Sequence, residues 1–467
     1  MLRIANHYVS KVAFGLLLLD ALILIGAFYT GSALRFFEGG AFARPMLEHF
    51  LTSACVFAGA VIFSMSALGM YQLNVAEGLR QSMFLRLMPA LAMGFGILTL
   101  VFYLAPELHF GRGLLLLVFL IGGAGILAAR AVFFSSVEFR FLESRVIFLG
   151  YGPLGKECGE LARSARNAHK FHIVGFVGGE GEECCVPASM VLHQEAGMSL
   201  VALARQHHVW EIVVSVQNRR SGAFPIRELL ECKLFGVTVT DAATFFERES
   251  CQIRVVSLQP SWLVFSEGFD QSFLRTFMKR CFDIVVSLVI LALALPVMLL
   301  TAACVRLEDG GPAFYSQERV GKGGRCFKVL KFRSMRCDAE TGGLPQWAAR
   351  NDPRVTRVGK LIRKLRIDEL PQLLNVFKGE MSFVGPRPER PHFVDRLNQD
   401  VPYYNVRHSI KPGITGWAQV RYGYGASVED ALQKLQYDLY YVKNNSLFLD
   451  ILVLIDTLKV VLFGHGR

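Results

Sequence analysis

The chain has 467 residues, of which 52% are apolar and only 19% charged, and its formal net charge is +11. That balance excludes an ordinary soluble globule and predicts membrane-spanning segments, with surplus cations suited to anionic headgroups or phosphate-rich substrates. No basic-aromatic module marks a nucleic-acid binder, and the length allows about three domains.

The first region, up to about residue 140, holds four apolar runs near Val12–Thr30, Phe50–Met70, Leu87–Leu104 and Leu114–Phe134. Each is about the length needed to cross a bilayer as a helix. Arg3 and Lys11 precede the first run, Arg80 and Arg86 separate the second and third, and Arg130, Arg140 and Arg145 follow the fourth. The other loops mix Arg35, Arg44 and Arg112 with Glu38, Glu48 and Glu107. The bias puts both ends of this region on the cytoplasmic side. Asp20 lies inside the first run, where a charge is costly. No second charge lines up with it in sequence, so a helix–helix contact is the favoured reading.

From 141 to 262 the pattern changes. RVIFLGYGPLGKECGELA reads as a buried strand, then Gly150-x-Gly152-x-x-Gly155, then a helix. FHIVGFVGG, VWEIVVSV and GVTVTD supply further strands, which is a Rossmann-like layout. The glycine fingerprint alone is weak evidence for a dinucleotide. Gly178-Gly179, with Glu180 beyond, stands where an acidic ribose-binding residue is expected, and no Tyr-x-x-x-Lys follows Tyr151. A structural or regulatory use is favoured over nucleotide binding. The ten cysteines, Cys184-Cys185 among them, form no C-x-x-C, and His207-His208 reads as a surface pair. Reduced thiols facing the cytoplasm are expected.

The third region opens with FMKRCFDIVVSLVILALALPVMLLTAACVRLEDGGP. Lys279 and Arg280 flank one end and Arg306 the other, which places both ends on the same side. Pro296, in the middle, removes a backbone hydrogen bond and bends a helix. A re-entrant segment over 281–305 satisfies both facts. The late run LFLDILVLIDTLKVVLFG is interrupted by Asp450, Asp456 and Lys459 and reads as an interfacial amphipathic helix.

Between these lies NDPRVTRVGKLIRKLRIDELPQLLNVFKG. Arg354, Arg357, Lys360, Arg363, Lys364 and Arg366 precede two adjacent acids, Asp368 and Glu369. Leu361, Ile362 and Leu365 add an apolar face suited to a headgroup interface. Pro371 fits the first turn of a helix, so the acids belong at or just before its start. Adjacent acids among cations suit phosphoryl chemistry with Mg²⁺, one acid holding metal while the other attacks or takes a proton; a helix-capping pair is the plainer alternative. Gly385-Pro386-Arg387-Pro388 presents Arg387 on a rigid loop, where guanidinium can bind phosphate. Upstream, FYSQERVGKGGRCFKVLKFRSM adds Arg319, Lys328, Lys331 and Arg333 but no Walker A spacing.

Together YSQERVG, FKVLKFRSM, RIDELPQLLNVFKGEMSFVGPRPE and KPGITGWAQV resemble the bacterial sugar transferases that act on polyprenyl phosphate, the monotopic phosphoglycosyl transferases. The resemblance covers about residues 270 to 467, and the whole layout is similar to the long form found with exosortase-associated exopolysaccharide loci. It implies a mostly helical catalytic domain with a re-entrant membrane helix, so the expected fold class is membrane α plus α/β: four transmembrane helices (1–140), a Rossmann-like domain (141–262) and the catalytic domain (270–467). It implies that a UDP-sugar and undecaprenyl phosphate give undecaprenyl-diphosphate-sugar and UMP, initiating exopolysaccharide synthesis at the cytoplasmic face of a bacterial inner membrane. UDP-glucose or UDP-galactose is the expected donor. Asp368 matches the nucleophile, Glu369 the Mg²⁺ ligand, Arg387 the phosphate-binding arginine, and Arg363 a basic position, with Lys331, Arg333 and Arg319 as further phosphate binders. Leu295 stands before Pro296 where small relatives often carry Ser. A homodimer is compatible with the long form.

Overall fold

The computed structural model describes residues 2–4, 6–36, 50–71, 79–136, 143–164, 167, 170–178, 182–192, 198–216, 224–255, 268–269, 271–337, 339, 354–423, 425 and 427–463. Arg44, Glu38, Glu48, Arg140, Gly179, Glu180 and the expected boundary at 262 lie outside these residues. The chain divides into two compact units. One comprises Met1–Leu2 and Tyr8–Ser250, the other Arg3–His7 and Cys251–Arg467.

In the first unit, four apolar runs form helices α1 (Lys11–Phe36), α2 (Phe50–Ala67), α3 (Leu79–Leu104) and α4 (Arg112–Ser136). Each has a stretch long and apolar enough to cross a membrane. Because lipid supplies no hydrophobic drive between helices, their contacts rest on close packing. Glycines on α4 provide it: a Cβ at Gly125 would lie 2.7 Å from Ile23 of α1. Phe28, Phe57 and Phe110 fill the bundle, with the Phe28 and Phe110 rings edge-on at 4.9 Å.

Asp20 does form a helix–helix contact, but the expectation that no second charge meets it is wrong. Arg130 of α4 donates from Nη2 to Asp20 Oδ2 at 2.6 Å, and Tyr71 donates its hydroxyl to the same oxygen at 3.0 Å. Arg130 is therefore a bundle residue, 4% exposed, and not a loop charge. One hundred and ten positions separate the partners in sequence, so only tertiary packing reveals the pair. Losing either partner alone would strand the other as a lone charge in an apolar bundle.

The same unit holds a four-stranded parallel sheet of β1 (Ser144–Leu149), β2 (Phe171–Val177), β3 (Glu211–Val214) and β4 (Thr238–Asp241), in the order β2-β1-β3-β4. All three pairings are parallel. Their apolar runs are buried on both faces because helices α5 (Pro153–Arg163), α6 (Leu200–Gln206), α7 (Ile226–Leu234) and α8 (Ala242–Ser250) supply the returns and two apolar clusters.

From Cys251 onward the chain belongs to the second unit. Trp417 Nε1 donates to Cys251 O at 3.0 Å, and Ile253 N donates to Gln436 O, which tie this segment to the later chain. His7 also belongs here: its Nδ1 lies 2.8 Å from the Tyr440 hydroxyl and its ring meets Trp417 edge-on. The dominant element is α9 (Phe273–Asp309), which stays helical through Pro296 and ends at Gly310 in the left-handed conformation. A hairpin, β5 (Phe314–Val320) and β6 (Cys326–Phe332), follows. Then come α10 (Arg357–Lys364), a 3₁₀ turn (Ile367–Glu369), α11 (Gln372–Lys378), β7 (Ser382–Val384), α12 (Pro391–Asp400), β8 (Gly413–Thr415), α13 (Trp417–Arg421), α14 (Val428–Asn444) and α15 (Leu447–Phe463).

The charges of α15 do not form an exposed polar face. Asp450 is buried and accepts from Lys279 Nζ at 2.6 Å and from the Tyr441 hydroxyl at 2.5 Å. Asp456 pairs with Arg421 and Lys459. Both acids are paired within the unit.

Candidate active site

The Asp-Glu pair sits where the sequence placed it. The 3₁₀ turn carries Asp368 and Glu369, and Pro371 follows as the residue that leads into α11. Thr356 caps α10 by accepting from Gly359 N at 2.9 Å, which fixes the helix that delivers the turn. Ile367 and Leu370 flank the acids and pack with Met298, Val305, Phe332 and Ile362. The turn is thus seated on the C-terminal half of α9. Arg366, immediately before it, has φ +58°, a left-handed conformation that costs a non-glycine residue about 1–2 kcal/mol and that clusters at functional sites.

Glu369 is the hub. Lys331 Nζ donates to its Oε1 at 3.1 Å and Arg387 Nη2 donates to the same oxygen at 3.0 Å, with Arg366 Nη1 at 3.9 Å. Burial favours the neutral acid, but Arg387, Lys331 and Arg366 override it and hold this carboxyl well below the usual carboxylate range. In return Glu369 raises Arg387. Burial pulls Lys331 down despite the carboxylate beside it.

Asp368 is different. It is 8% exposed, and its Oδ1 is buried with no hydrogen-bond partner among the described residues. Burial, then the neighbouring Glu369 charge, push its carboxyl up, while Lys331, Arg363 and Arg366 pull it back. A buried carboxylate oxygen without a donor costs about 1–3 kcal/mol and marks a group kept for something other than stability. The two acids answer the question their adjacency raises: one is neutralised by cations and the other is left under-solvated.

The expected residues divide into two sets. The fold brings Asp368, Glu369, Lys331, Arg387 and Arg363 together. Arg387 is 39% exposed, so its guanidinium can still reach a ligand. Arg319 sits behind the loop, donating to Pro388 O at 3.1 Å and to Gln317 Oε1 at 2.6 Å, with Glu389 at 3.5 Å. It braces the Pro-Arg-Pro segment. Arg333 is not brought to the acids. β6 ends at Phe332, and Arg333 turns back to donate to Asp309, to Val305 O at 3.3 Å and to Cys337 Sγ at 2.6 Å. It closes the C-terminal end of α9, where carbonyls lack partners.

Sequence reading missed a second brace. Arg407 is buried, donates to Arg387 O at 2.9 Å and pairs with Asp438 at 2.8 Å. Its other contact, to the Tyr404 hydroxyl, is 2.5 Å. It therefore fixes the backbone from which Arg387 projects. Arg366 lay within the basic run, but nothing in its spacing announced the left-handed turn.

Among the described residues no group of three or more His, Cys, Asp or Glu side chains could hold a metal by itself. Mg²⁺ takes one or two carboxylates and completes its shell with phosphates and water. The ionised Glu369, whose described hydrogen bonds all fall on Oε1, and the unpartnered Asp368 Oδ1 fit that requirement.

The glycine turn of the first unit has a different character. Gly150 has φ +115°, and a Cβ there would lie 2.8 Å from the Ser215–Val216 backbone. The turn is filled from within: Tyr151 N donates to Glu182 Oε2 at 3.1 Å, and the Glu182 carboxylate stands over Gly152. The Tyr151 ring covers Gly178 at the end of β2. A carboxylate occupies the place where the fingerprint would set a pyrophosphate, and the two would repel.

The family match falls within the second unit. Residues 274–464 match the family described as bacterial sugar transferase. The chain is similar to the UDP-N-acetylgalactosamine-undecaprenyl-phosphate N-acetylgalactosaminephosphotransferase of Aeromonas hydrophila, 50% identical over 240 residues, 51% of this chain and 56% of that relative. It is similar to the undecaprenyl-phosphate glucose phosphotransferase of Komagataeibacter xylinus, 42% identical over 193 residues, 40% of this chain and 36% of that one. A UDP-glucose:undecaprenyl-phosphate glucose-1-phosphate transferase of Caulobacter vibrioides is 42% identical over 186 residues, 39% of this chain and 69% of the relative. The matched segment thus spans 56% and 36% of the first two relatives' own length.

Proposed function

The chain belongs to the bacterial sugar transferase family, and we propose that it transfers a sugar 1-phosphate from a UDP-sugar to undecaprenyl phosphate, releasing UMP. The observation that carries this reading is the buried, unpartnered Asp368 oxygen beside an ionised Glu369 that gathers two cations. The carboxylate of Asp368 attacks the sugar-bearing phosphorus, an O–P bond forms, and the bond to the UMP oxygen breaks. A phosphate oxygen of undecaprenyl phosphate then attacks the same phosphorus. The bond to Asp368 breaks, the carboxylate returns, and undecaprenyl-diphosphate-sugar leaves. Lys331 and Arg387 meet the diphosphate charge, Arg363 and Arg366 add positive charge near the two acids, and Arg319 and Arg407 hold the loop. Glu369 would hold Mg²⁺, which when bound neutralises diphosphate charge.

A covalent intermediate lets the enzyme meet a water-soluble donor and a lipid acceptor in turn, with no ternary complex. That requires Asp368 at headgroup depth, and we read α9 as re-entrant. Both of its ends bond to the same unit. Near the start, Arg280 donates to Val376 O and Phe377 O, both at 2.6 Å, and Asp283 accepts from Ser382 Oγ and Phe383 N. Near the finish, Val305 packs on Phe332 and Ile362. Between them Leu288, Val289, Leu293 and Leu295 are exposed. A span through about 30 Å of hydrocarbon would separate its two ends across the bilayer. Leu361 and Leu365 of the basic stretch are exposed as well, as an interfacial face requires. With cysteines introduced at Phe273 and Leu307 in a cysteine-free background, both positions should label from one side of a sealed vesicle. Labelling from opposite sides would contradict the re-entrant reading.

The Rossmann-like sheet is read as structural or regulatory, given its self-filled turn. Exopolysaccharide initiation, a cytoplasmic-facing catalytic unit in the inner membrane and a homodimer complete the proposal by analogy. The relative with 50% identity is named for N-acetylgalactosamine and two others for glucose, so the proposed donor is a UDP-hexose or its N-acetylamino counterpart. The test is UMP release by the full chain in nanodiscs with undecaprenyl phosphate and Mg²⁺, screened over UDP-glucose, UDP-galactose and their N-acetylamino counterparts. One donor should give UMP and a lipid-linked diphosphate sugar; no turnover with any of them would favour a non-catalytic scaffold.

A further inference from the structure

The parallel sheet of the first unit has an edge that the transfer reaction does not use. In a parallel α/β layer, returning helices end where the next strands begin. The N-terminal edge of the sheet therefore gathers the start of β1, the residue before β3, and the C-terminal ends of α6 and α7. At that edge Trp210 is 67% exposed, Leu234 78% and Phe235 59%. Trp210 and Phe235 lie on adjacent loops, since Thr238 N donates to Trp210 O. Arg205 stacks on the Phe235 ring at 4.2 Å, and Arg145 donates to His207 O at 3.0 Å. Arg145, Arg205 and Lys233 are all exposed, against two neighbouring acids, Glu143 and Glu231.

Cations at helix C-termini are ordinary complements of the backbone dipole. The dipole does not explain three large apolar side chains held in water beside them. Isolated exposed apolar residues are common, but a cluster rimmed by cations marks a contact surface.

The chain itself indicates what lies against it. Only residues 137–143 separate the end of α4 from the start of β1. Even fully extended, that link reaches no more than about 29 Å. β1 starts at this same edge, so the edge is tethered close to the end of a membrane-length helix. Trp and aromatic side chains favour the headgroup level, and Lys and Arg favour anionic lipid. A second copy would set the same cations against one another, which disfavours association.

We propose that this edge rests on the lipid headgroup layer, with Trp210, Leu234 and Phe235 inserted and Arg145, Arg205 and Lys233 bound to anionic phosphates. The sheet is then a membrane-apposed platform.

The test places the photo-crosslinking residue p-benzoyl-phenylalanine at Trp210 or at Phe235 in the full chain, in nanodiscs of phosphatidylethanolamine and phosphatidylglycerol. Glu183, exposed beyond the C-terminal end of β2, serves as the control position. Phospholipid adducts at 210 and 235 should exceed those at 183 by at least about fivefold, and Arg205→Glu with Lys233→Glu should lower them by at least about fivefold, the scale of one headgroup interaction. Equal lipid adducts at all three positions, or adducts to a second copy in place of lipid, would overturn the proposal.

Discussion

Replacing Asp368 by Asn should lower UMP release by at least about 10³-fold, the scale on which covalent enzymes lose rate when the nucleophile is removed. Asn is close in shape, so the 3₁₀ turn and its seat on Met298, Val305 and Ile362 should survive. Thermal stability of the variant should stay equal or rise, because the substitution removes a buried oxygen that has no partner and a charge that Glu369 repels. The lost turnover separates a nucleophile from the plainer reading of the pair as a helix cap. Asn caps about as well as Asp, so a mere cap would keep both stability and turnover. The ionised form attacks, and burial with the Glu369 charge raises the Asp368 pKa. Turnover should therefore fall as pH drops through that raised value, so its acid limb lies above the range of an ordinary aspartate. Retained activity in Asp368→Asn at saturating donor would end the assignment.

Arg407→Met should be the most destabilising single change in the second unit. It strands Asp438, whose carboxyl burial already pushes up to about 6 against the pull of Arg407. Breaking such a pair costs about 3–5 kcal/mol. In a unit of this size that corresponds to a fall in Tm of roughly 6–20 °C. Asp438→Asn added to Arg407→Met should recover much of the loss, because the lone charge is gone. Activity should not recover with it, since the Arg387 carbonyl still lacks its clamp. Because its folded pKa is raised, the Asp438 contribution is complete below about pH 4 and is lost as pH rises through about 6. A Tm for Arg407→Met within about 2 °C of the parent would contradict this account.

These two sites show what sequence pattern carries and what it does not. The acids were placed correctly because Pro371 fixes a helix start, a local rule. The four bundle helices follow from run length alone. Arg407 and Asp438 are separated by 31 residues and Asp20 and Arg130 by 110, so no local period links either pair. Arg333 misled for a physical reason. Strand alternation puts it on the same face as Lys331, but β6 ends one residue earlier and Arg333 leaves the sheet for Asp309. The charges of α15 misled similarly: on an apolar helix they looked like an aqueous face, whereas Asp450 is buried with Lys279 and Tyr441. The glycine fingerprint was legible as a strand–turn–helix, but its filling by Glu182 and Tyr151 was not.

The full chain in nanodiscs, given Mg²⁺ and its UDP-sugar but no polyprenyl phosphate, tests the core of the account when analysed by peptide mass spectrometry. Stoichiometric UMP and a sugar-phosphate mass on the peptide bearing Asp368, discharged by undecaprenyl phosphate, are the predicted result. UMP formed only when both substrates are present, with Asp368 unmodified, would contradict it.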